Sequence, residues 1–299
     1  MKKGLILIYP GFQNEAKKYQ YGRIREELAK LKVETDIIKI DELFITIEDG
    51  KPNIDVAKYD FCIPLVQDKY INAFLEAHKI KSFNSFFSKA SSGDKMLTLS
   101  LLAGHGIRLP NTIAGFGGNT GEEKIENMEV PEAFKKHAEK TLGYPLVAKK
   151  CRGKGGRDVY KIDNRKMLDD ICEQFKGQPY ILQEFIAENA GKDIRVVVLG
   201  GKAVGAYMRV NENDFRSNIT IKGKRIPFEL TAKYKNAAEK VARFLKLDFC
   251  SVDFFVSDDK EPILCEVNAD PALVGAEEMS GKNIAGMFAK LIVNKVYKA

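Results

Sequence analysis

The stretch Ser251–Asn268, SVDFFVSDDKEPILCEVN, contains two short runs that are rich in apolar and β-branched residues. These runs, Cys250–Val256 and Pro262–Val267, flank a polar segment of turn-forming residues. This pattern predicts two strands that form a β-hairpin. We predict the register in which Val256 lies opposite Ile263.

That register places Asp253 opposite Glu266, and opposed residues of an antiparallel pair share a face. Because side chains alternate along a strand, Glu266 also shares its face with Leu264 and Asn268. Two carboxylates this close repel each other unless a cation lies between them. An all-oxygen ligand set suits Mg²⁺ or Mn²⁺, and such ions keep positions open for phosphates. The stretch therefore indicates phosphoryl chemistry; the alternative is a surface hairpin with a hydrated polar face.

The composition is that of a globular protein. The chain has 299 residues, enough for two or three domains, with 44% hydrophobic and 30% charged residues. No apolar run approaches the ~20 residues that a transmembrane helix needs. The opening MKKGLILIYPG is interrupted by Pro10-Gly11, so we predict a first strand there rather than a signal peptide.

The net charge and the cysteine spacing further limit the class of protein and its partners. The net charge is +7, but basic and acidic residues are interleaved on most predicted helices, which indicates a hydrated surface. We therefore expect no DNA partner, although a positive excess favours polyanionic small ligands. The five cysteines show no C-x-x-C spacing, so we expect reduced, mostly buried thiols and a cytoplasmic protein. They are Cys62, Cys151, Cys172, Cys250 and Cys265.

Residues 1–91 alternate between predicted strands and helices, which favours an open, mostly parallel α/β sheet. Asp49-Gly50 is a hairpin signal within this block. No G-x-G-x-x-G follows the first strand, so a dinucleotide site there is unsupported. Ligands of such sheets bind at the carboxyl ends of strands. The candidate substrate loops are therefore Tyr9–Phe12 and Val66–Lys69.

The rest of the chain divides into blocks at 92–178 and 179–299. In the second block, the predicted strand Pro145–Lys150 leads directly into CRGKGGRDV, residues 151–159. The glycines let the backbone N–H groups of this loop approach an anion closely. We interpret the loop as a phosphate-covering flap, although it fits no P-loop pattern; the alternative is an exposed turn.

The third block begins with the apolar run Tyr180–Ile186. Ile194–Leu199 and Lys202–Arg209 form a second predicted hairpin that turns at Gly200-Gly201. Thr231 is a predicted N-cap for a helix that ends near Leu245.

The order of these segments resembles the ATP-grasp superfamily, and within it the RimK-type branch of ribosomal-protein α-L-glutamate ligases. The match runs from about Gly93 to the C-terminus, and the first block resembles the smaller α/β domain of the family. The resemblance implies an N-terminal open α/β domain followed by a two-lobed ATP-grasp fold. The matching segments are PLVAKK, the Gly-rich loop, YILQEFI, GKDIRVVVLGGKAVGAYMR, DFRSN, VDFF, EVN and SGKNIAG.

The resemblance also implies an activity. ATP phosphorylates a carboxylate, and an amine then attacks the acyl phosphate to give an amide and ADP. The implied cofactors are ATP and Mg²⁺ or Mn²⁺, with two ions. The implied partners are a carboxylate substrate and an amine acceptor, which is an amino acid, a peptide or a protein. Glutamate added to a protein or small molecule is one such reaction; a homo-oligomer stays open, and no membrane is involved.

The nucleotide residues of the family are carried over as follows. Lys149 matches a lysine that contacts ATP phosphate, and Lys95 matches an earlier lysine that faces the nucleotide. Asp193 matches a residue on the ribose side. The flap contributes Gly153, Gly155 and Gly156, and the hinge that recognises adenine matches Gln183, Glu184, Phe185 and Ile186.

The reactive end is carried over in the same way. Arg209 and Arg216 match arginines at the transferring phosphoryl group, with Asn218 beside them. Phosphoryl transfer depends on positioning and charge neutralisation, and an arginine fork suits phosphate or carboxylate. The implied metal ligands are Asp253, Glu266 and Asn268, the residues that the hairpin places on one face.

The sequence departs from the glutamate-ligase pattern after Asn218, after Asn268 and at Arg152 and Arg157 of the flap. Because these departures fall near the substrates, the identities of the carboxylate and the amine do not transfer. Two alternatives stay open. One is a ligase that modifies peptide side chains, and the other is a non-catalytic nucleotide-binding module.

Overall fold

Three main β-sheets and nine helices make up the part of the chain that the computed structural model describes. That part comprises residues 2–11, 14–115, 129–153, 155–219, 222–256 and 261–298. Together the sheets give the mixed α/β architecture that the sequence predicts.

The first sheet is parallel, with strand order β2-β1-β5-β6. A separate hairpin turns at Asp49-Gly50, where both residues have positive φ, as the sequence predicts. The first-sheet strands are β1 (Lys3–Ile8), β2 (Glu34–Lys39), β5 (Phe61–Pro64) and β6 (Lys81–Ser82). The hairpin strands are β3 (Ile45–Glu48) and β4 (Lys51–Ile54), and the helices are α1 (Glu15–Lys30) and α2 (Lys69–Ala77).

The second sheet is antiparallel, with order β7-β10-β8-β9. Its strands are β7 (Thr112–Ala114), β8 (Leu146–Lys150), β9 (Val159–Ile162) and β10 (Tyr180–Glu184). Helices α5 (Glu132–Leu142) and α6 (Arg165–Gln174) contribute Ala138 and Leu168 to its apolar core. Helices α3 (Phe86–Ser92) and α4 (Lys95–Leu102) precede this sheet. Because β10 pairs with both β7 and β8, the second sheet extends beyond the predicted block boundary at residue 178.

The third sheet is antiparallel, with order β13-β12-β11-β14-β15. Its strands are β11 (Lys192–Leu199), β12 (Lys202–Val210), β13 (Lys224–Pro227), β14 (Phe249–Phe255) and β15 (Ile263–Asn268). The remaining helices are α7 (Ala232–Phe244), α8 (Leu273–Ser280) and α9 (Ile284–Tyr297). The β11–β12 hairpin and the helix after Thr231 form where the sequence predicts them.

Alternation along β11 gives the third sheet two different faces. Ile194, Val196 and Val198 point into an apolar core that α4 and α7 complete. Val197 and Leu199 point to the other face and pack with α8, α9 and the first sheet. On this second face the residues at the start of β11 are polar, so one end of the face is apolar core and the other end is available for a site.

The first sheet and the end of the chain share one core. Ile6, Ile24 and Ile63 belong to the same buried cluster as Phe288 and Ile292 of α9. The first block is therefore packed directly against the third sheet and its helices.

The predicted register of the β14–β15 hairpin is wrong at its turn end. Phe255, not Val256, lies opposite Ile263. A β-bulge then inserts Cys265 into β15, so that Asp253 lies opposite Glu266 as predicted. The four turn residues 257–260 lie outside the described part.

The bulge also changes which side chains share a face. Leu264 lies opposite Phe254, and both belong to the apolar core on the α7 side. The prediction that Leu264 shares a face with Glu266 is therefore wrong, because one extra residue breaks the alternation between them.

The five cysteines are free, and four of them are buried, which confirms the prediction of mostly buried thiols. Burial raises the pKa of the Cys62 and Cys250 thiols. Across the described helices, none is both long and apolar enough to cross a bilayer.

Asn84 joins the first block to the third sheet. Its Nδ2 donates to the carbonyl oxygens of Phe249 and Ala269, each at 2.7 Å. Its Oδ1 accepts from the N–H groups of Asp248 (2.6 Å) and Phe249 (3.1 Å). The side chain is 1% exposed, so no water replaces these bonds if it is removed.

We expect Asn84→Ala to lower the free energy of unfolding by at least about 2 kcal/mol, since it leaves buried backbone groups without partners. Urea denaturation measures the change. Asn294→Ala, at an exposed position of α9, is the matched control and should change it by less than about 0.5 kcal/mol. Equal stabilities for the two variants would contradict the role of Asn84.

Candidate active site

A cleft between the second and third sheets gathers most of the predicted site residues. Thirteen of the sixteen line it, and Gln183, Asp253 and Asn268 do not. The thirteen are Lys95, Lys149, Gly153, Gly155, Gly156, Glu184, Phe185, Ile186, Asp193, Arg209, Arg216, Asn218 and Glu266.

Part of the cleft wall is apolar and formed by Val147, Ile186, Phe255 and the edge-to-face pair Phe185–Phe215. Strand β10 ends at Glu184, so the backbone of the next two residues lies beyond the sheet ladder. A flat heterocycle needs such walls together with a nearby backbone edge. This arrangement agrees with the predicted hinge.

The Glu184 carboxylate accepts two hydrogen bonds from Asn111. One comes from the backbone N–H at 2.8 Å and the other from the side-chain amide at 2.9 Å. The Glu184 carboxylate is therefore engaged within the protein, and a role of Glu184 in adenine binding, if the hinge prediction holds, falls to its backbone.

Lys149 points into the cleft from β8 and is 8% exposed. Its Nζ donates to Gln183 Oε1 at 2.6 Å and lies 5.3 Å from the centre of the Phe255 ring. Burial lowers the pKa of Lys149, because the charged form is poorly solvated there. The Gln183 amide also donates to Thr112 Oγ1 at 2.9 Å, so this side chain orients Lys149.

The Gly-rich loop is held against the third-sheet side of the cleft by two cations. Lys95 Nζ donates to the Gly153 carbonyl at 3.1 Å, and Arg216 Nη1 donates to the Gly156 carbonyl at 2.6 Å. Lys154 of this loop lies outside the described residues. The free volume left in the cleft is about 100 Å³, well below the ~300 Å³ of a small ligand pocket. A nucleotide therefore requires this loop or its cations to move.

Gly156 has a φ of +75° and lies close to Asn218. A Cβ at this position would come within 2.6 Å of Asn218 Oδ1. Only glycine satisfies both constraints, because a larger residue would be strained and would push the loop away from the cleft.

Arg216 is oriented by Asp214. Its Nε and Nη2 donate to the two oxygens of the Asp214 carboxylate at 2.9 and 2.7 Å. This pairing, with Asp214 as the hydrogen-bond partner, raises the pKa of Arg216 and directs its remaining nitrogen toward the loop.

Arg209 and Asp193 form a buried pair on adjacent strands. The two residues lie opposite each other in the β11–β12 register, and Arg209 Nε is 2.7 Å from Asp193 Oδ1. Ser217 also donates to Asp193. The Asp193 carboxylate, predicted on the ribose side, is thus engaged within the protein by an arginine and a hydroxyl.

Asp253 is fully buried and is held by two arginines. Arg195 donates a hydrogen bond to each of its oxygens, at 2.7 Å from Nε to Oδ1 and at 2.6 Å from Nη2 to Oδ2. Arg209 Nη2 donates to the same Oδ2 at 2.8 Å. Burial alone would raise the pKa of Asp253, but the two guanidinium groups hold that pKa below its usual range.

The other two predicted metal ligands lie beside Asp253. Glu266 opens onto the cleft, and its Oε1 is 3.1 Å from Lys95 Nζ. The Asn268 amide lies 3.4 Å from Asp253 Oδ2. In the described residues, no group of three or more His, Cys, Asp and Glu side chains could hold a metal. Two carboxylates and an amide of one hairpin still fit a hard cation, because all three offer oxygen.

A second cavity, of about 610 Å³, lies beside the cleft and shares Gly153 with it. Both predicted substrate loops contribute to its wall, through Tyr9 and through Gln67–Lys69. Phe12 lies outside the described residues. The opposite wall comes from α3, the start of α4 and Arg152.

Lys89 and Asp270 form a buried ion pair next to this cavity, with Nζ 2.9 and 2.7 Å from the two carboxylate oxygens. The Gln67 amide lies 3.4 Å from Asp270 Oδ2. Asp270 belongs to one of the segments that depart from the glutamate-ligase pattern, so this departure lies beside the second cavity.

Sequence reasoning missed several site residues. Arg195 and Phe215 stand within quoted motifs but received no role, and nothing in their spacing reveals what they touch. Asp214 could have been found, because it precedes Arg216 by two residues in a turn-like segment. Lys89 pairs with a residue 181 positions away, and no local pattern reports such a contact.

Solved structures share this architecture over nearly the whole chain. A RimK-domain ATP-grasp protein from Sphaerobacter thermophilus has a TM-score of 0.72 at 18% identity, covering 97% of this chain and 99% of that one. The ATP-grasp ligase PsnB, complexed with a phosphomimetic variant of its minimal precursor, Mg and ADP, has a TM-score of 0.67 at 17% identity and covers 99% of both chains. The fold is thus that of the ATP-grasp ligases.

The sequence of residues 92–292 matches the family model of the RimK-like ATP-grasp domain. The chain belongs to this family and is an ATP-dependent, ADP-forming acid–amino-acid ligase.

Two curated relatives are similar over most of the chain. A probable alpha-L-glutamate ligase from Syntrophotalea carbinolica is 31% identical in an alignment of 308 positions, gaps included, that covers 98% of this chain and 95% of that protein. Beta-citrylglutamate synthase B from Danio rerio is 28% identical in an alignment of 287 positions, gaps included, that covers 91% of this chain and 68% of that protein.

We expect the Gly-rich loop, residues 151–158, to order over a bound nucleotide. Phosphate oxygens would accept its backbone N–H groups and take over the cations that now contact its carbonyls. Hydrogen exchange of the loop amides should slow by at least about tenfold with a non-hydrolysable ATP analogue and Mg²⁺.

The β3–β4 hairpin, which lies outside the cleft, is the internal reference for this measurement and should exchange equally in both samples. Loop amides that exchange at one rate with and without nucleotide would contradict the lid assignment.

Proposed function

We propose that this ligase activates a carboxylate as an acyl phosphate and passes it to an amine held in the second cavity. The observation that supports this most is the junction at Gly153, where the cation-lined cleft and the second cavity meet. The ATP phosphates in the cleft and the amine in the second cavity would thus lie close together beneath the Gly-rich loop.

In this proposal the apolar walls and the hinge backbone hold adenine, and Lys149 and Lys95 contact the phosphates. Arg216 neutralises the transferring group from the third-sheet side. Lysines act as point charges on phosphate, while an arginine offers a fork that suits a phosphoryl or carboxylate group.

Glu266, Asp253 and Asn268 would hold Mg²⁺ or Mn²⁺, with two ions as the expected number. A bound divalent ion would supply positive charge against the phosphoryl group that is transferred. The chain's own contribution is to keep the two carboxylates opposite each other and to keep Asp253 charged, because its arginine contacts lower its pKa.

An acyl phosphate is lost to hydrolysis if water reaches it, so the loop has a second task. Its contacts with Lys95 and Arg216, across a cleft with a free volume of about 100 Å³, support this task. Closure would exclude water during both half-reactions.

The second cavity favours acceptors of small-molecule size, because about 610 Å³ lies within the range of small-ligand pockets, ~300–1,000 Å³. Its wall carries both signs of charge, including Asp68, Lys69, Asp94 and Arg152. A molecule with both an ammonium and a carboxylate group suits this lining. The names of both relatives contain glutamate, so glutamate is the first amine to test.

We expect Asp253→Asn combined with Glu266→Gln to abolish metal-dependent ADP formation, because two of the proposed ligands lose their charge. Asp41→Asn with Glu76→Gln removes the same charge at exposed positions and should leave the rate unchanged. Circular dichroism reports whether the fold survives. Glu266→Gln alone, at a half-buried position, should still lower turnover at least about 100-fold. Unaltered turnover in the folded double variant would falsify the metal assignment.

We expect Arg216→Ala to reduce kcat by about 100-fold or more and to change the KM for ATP much less, since its charge matters most in the transition state. Hydroxylamine should trap a hydroxamate only when ATP and the true carboxylate are both present. Arg25→Ala, on the exposed side of α1, is the control. A variant that binds ATP weakly yet turns over normally would contradict this role.

A further inference from the structure

Two cations of the cleft contact the carboxylates that are proposed to hold metal. Lys95 Nζ lies 3.1 Å from Glu266 Oε1, and Arg209 Nη2 lies 2.8 Å from Asp253 Oδ2. Each cation also has a second partner, the Gly153 carbonyl for Lys95 and Asp193 for Arg209. Each cation therefore keeps one hydrogen-bond partner if another group binds the carboxylate.

Arg195 has a different position from these two. It lies opposite Asp253 in the β11–β14 register and grips both carboxylate oxygens. It does not line the cleft, and its side chain is 14% exposed. A bound nucleotide would thus lie on the Arg209 side of Asp253 and not on the Arg195 side.

The hydrogen bonds of Asp253 Oδ2 can be counted. A carboxylate oxygen has two lone pairs, and Oδ2 accepts one short bond from Arg195 and one from Arg209. The same oxygen also accepts a longer hydrogen bond, of 3.4 Å, from Asn268 Nδ2. A cation that binds Oδ2 together with the amide oxygen of Asn268 therefore competes with these donors, and among the arginines Arg209 is the one on the cleft side.

We propose that Lys95 and Arg209 occupy the metal-binding oxygens until a metal–nucleotide complex arrives, and then exchange these carboxylates for phosphate. Arg195 is the positioning residue that stays on Asp253 throughout. The inference rests on the proposed metal site and adds how this site is loaded.

Burial explains why the exchange needs Arg195. Asp253 is 0% exposed, and a buried carboxylate that loses its only cation is strongly destabilised. Because Arg195 stays on both oxygens, Arg209 can leave while the buried carboxylate of Asp253 keeps a cationic partner. The same contact fixes the direction in which Oδ2 points.

The exchange links metal and nucleotide binding. Without phosphate, a divalent ion has to displace two cations that gain no new anionic partner. With phosphate, the displaced Lys95 gains an anionic partner, and Arg209 gains one in addition to Asp193. Each ligand therefore strengthens the binding of the other by the same factor.

The test measures Mn²⁺ binding to the full chain by electron paramagnetic resonance, without nucleotide and then with ADP. Arg209→Gln should bind Mn²⁺ alone at least tenfold more tightly than the unaltered protein, because the competitor on Oδ2 is gone. Lys95→Gln should show the same direction of change, and it serves if Arg209→Gln does not fold.

Arg216→Gln is the matched control. It removes one positive charge from the same cleft, but Arg216 pairs with Asp214 and not with a proposed ligand. Its Mn²⁺ affinity without nucleotide should stay within about threefold of the unaltered protein. If Arg216→Gln and Arg209→Gln raised the Mn²⁺ affinity equally, the loss of any positive charge in the cleft would explain the result. That outcome would overturn the proposed exchange.

Arg195→Lys tests the positioning role, since it keeps the charge and loses the fork. We expect Mn²⁺ affinity with ADP to fall at least fivefold and the Mn²⁺ spectrum to change. A purely structural role would lower the unfolding temperature and leave both unchanged.

The outcomes separate this inference from the function on which it rests. Mn²⁺ binding with ADP, but no tightening in Arg209→Gln or Lys95→Gln, would overturn the exchange alone. Failure of the unaltered protein to bind Mn²⁺ even with ADP would overturn the metal assignment itself, whereas ADP release and hydroxamate trapping test the ligase chemistry separately.

Discussion

The contact on which the site depends is the buried ion pair between Asp253 and Arg195. A fully buried carboxylate is tolerated only with a partner, and here the partner comes from the adjacent strand in direct register. This pair fixes the centre of a polar row that continues to Glu266 on the next strand. Without it, Asp253 would keep only the contact with Arg209, and both burial and the nearby Glu266 carboxylate would favour its protonation.

The rest of the architecture places other groups around that row. One face of the third sheet changes from apolar core to polar site along a single strand, so the core that anchors the sheet also sets the position of the site. The second sheet contributes Lys149 and the hinge, and the Gly-rich loop extends from the strand that carries Lys149. Three chain segments that are distant in sequence thus converge on one cleft.

Much of this could be predicted from the sequence. Strand alternation and turn signals placed the hairpins, and motif order placed thirteen residues on one cleft. The failures have physical causes. An extra residue at Cys265 shifts the register, and a bulge of this kind has no local signature. Arg195 and Lys89 act through partners 58 and 181 residues away, which only tertiary packing brings together. The assignment of β10 to the second sheet likewise depends on strand pairing rather than on composition.

Apart from the start of α4 and the Gly-rich loop, which reach both spaces, the second cavity is built from segments that contribute nothing to the cleft. Its walls are loop ends of the first sheet and the helices that follow, and Gly153 is the one described residue that both spaces share. Substitutions in the walls from the first sheet and α3 can therefore reshape the proposed acceptor space without touching the residues that line the cleft. This separation gives a physical route by which one phosphate-handling scaffold diverges into enzymes with different products while its energy-supplying half stays the same.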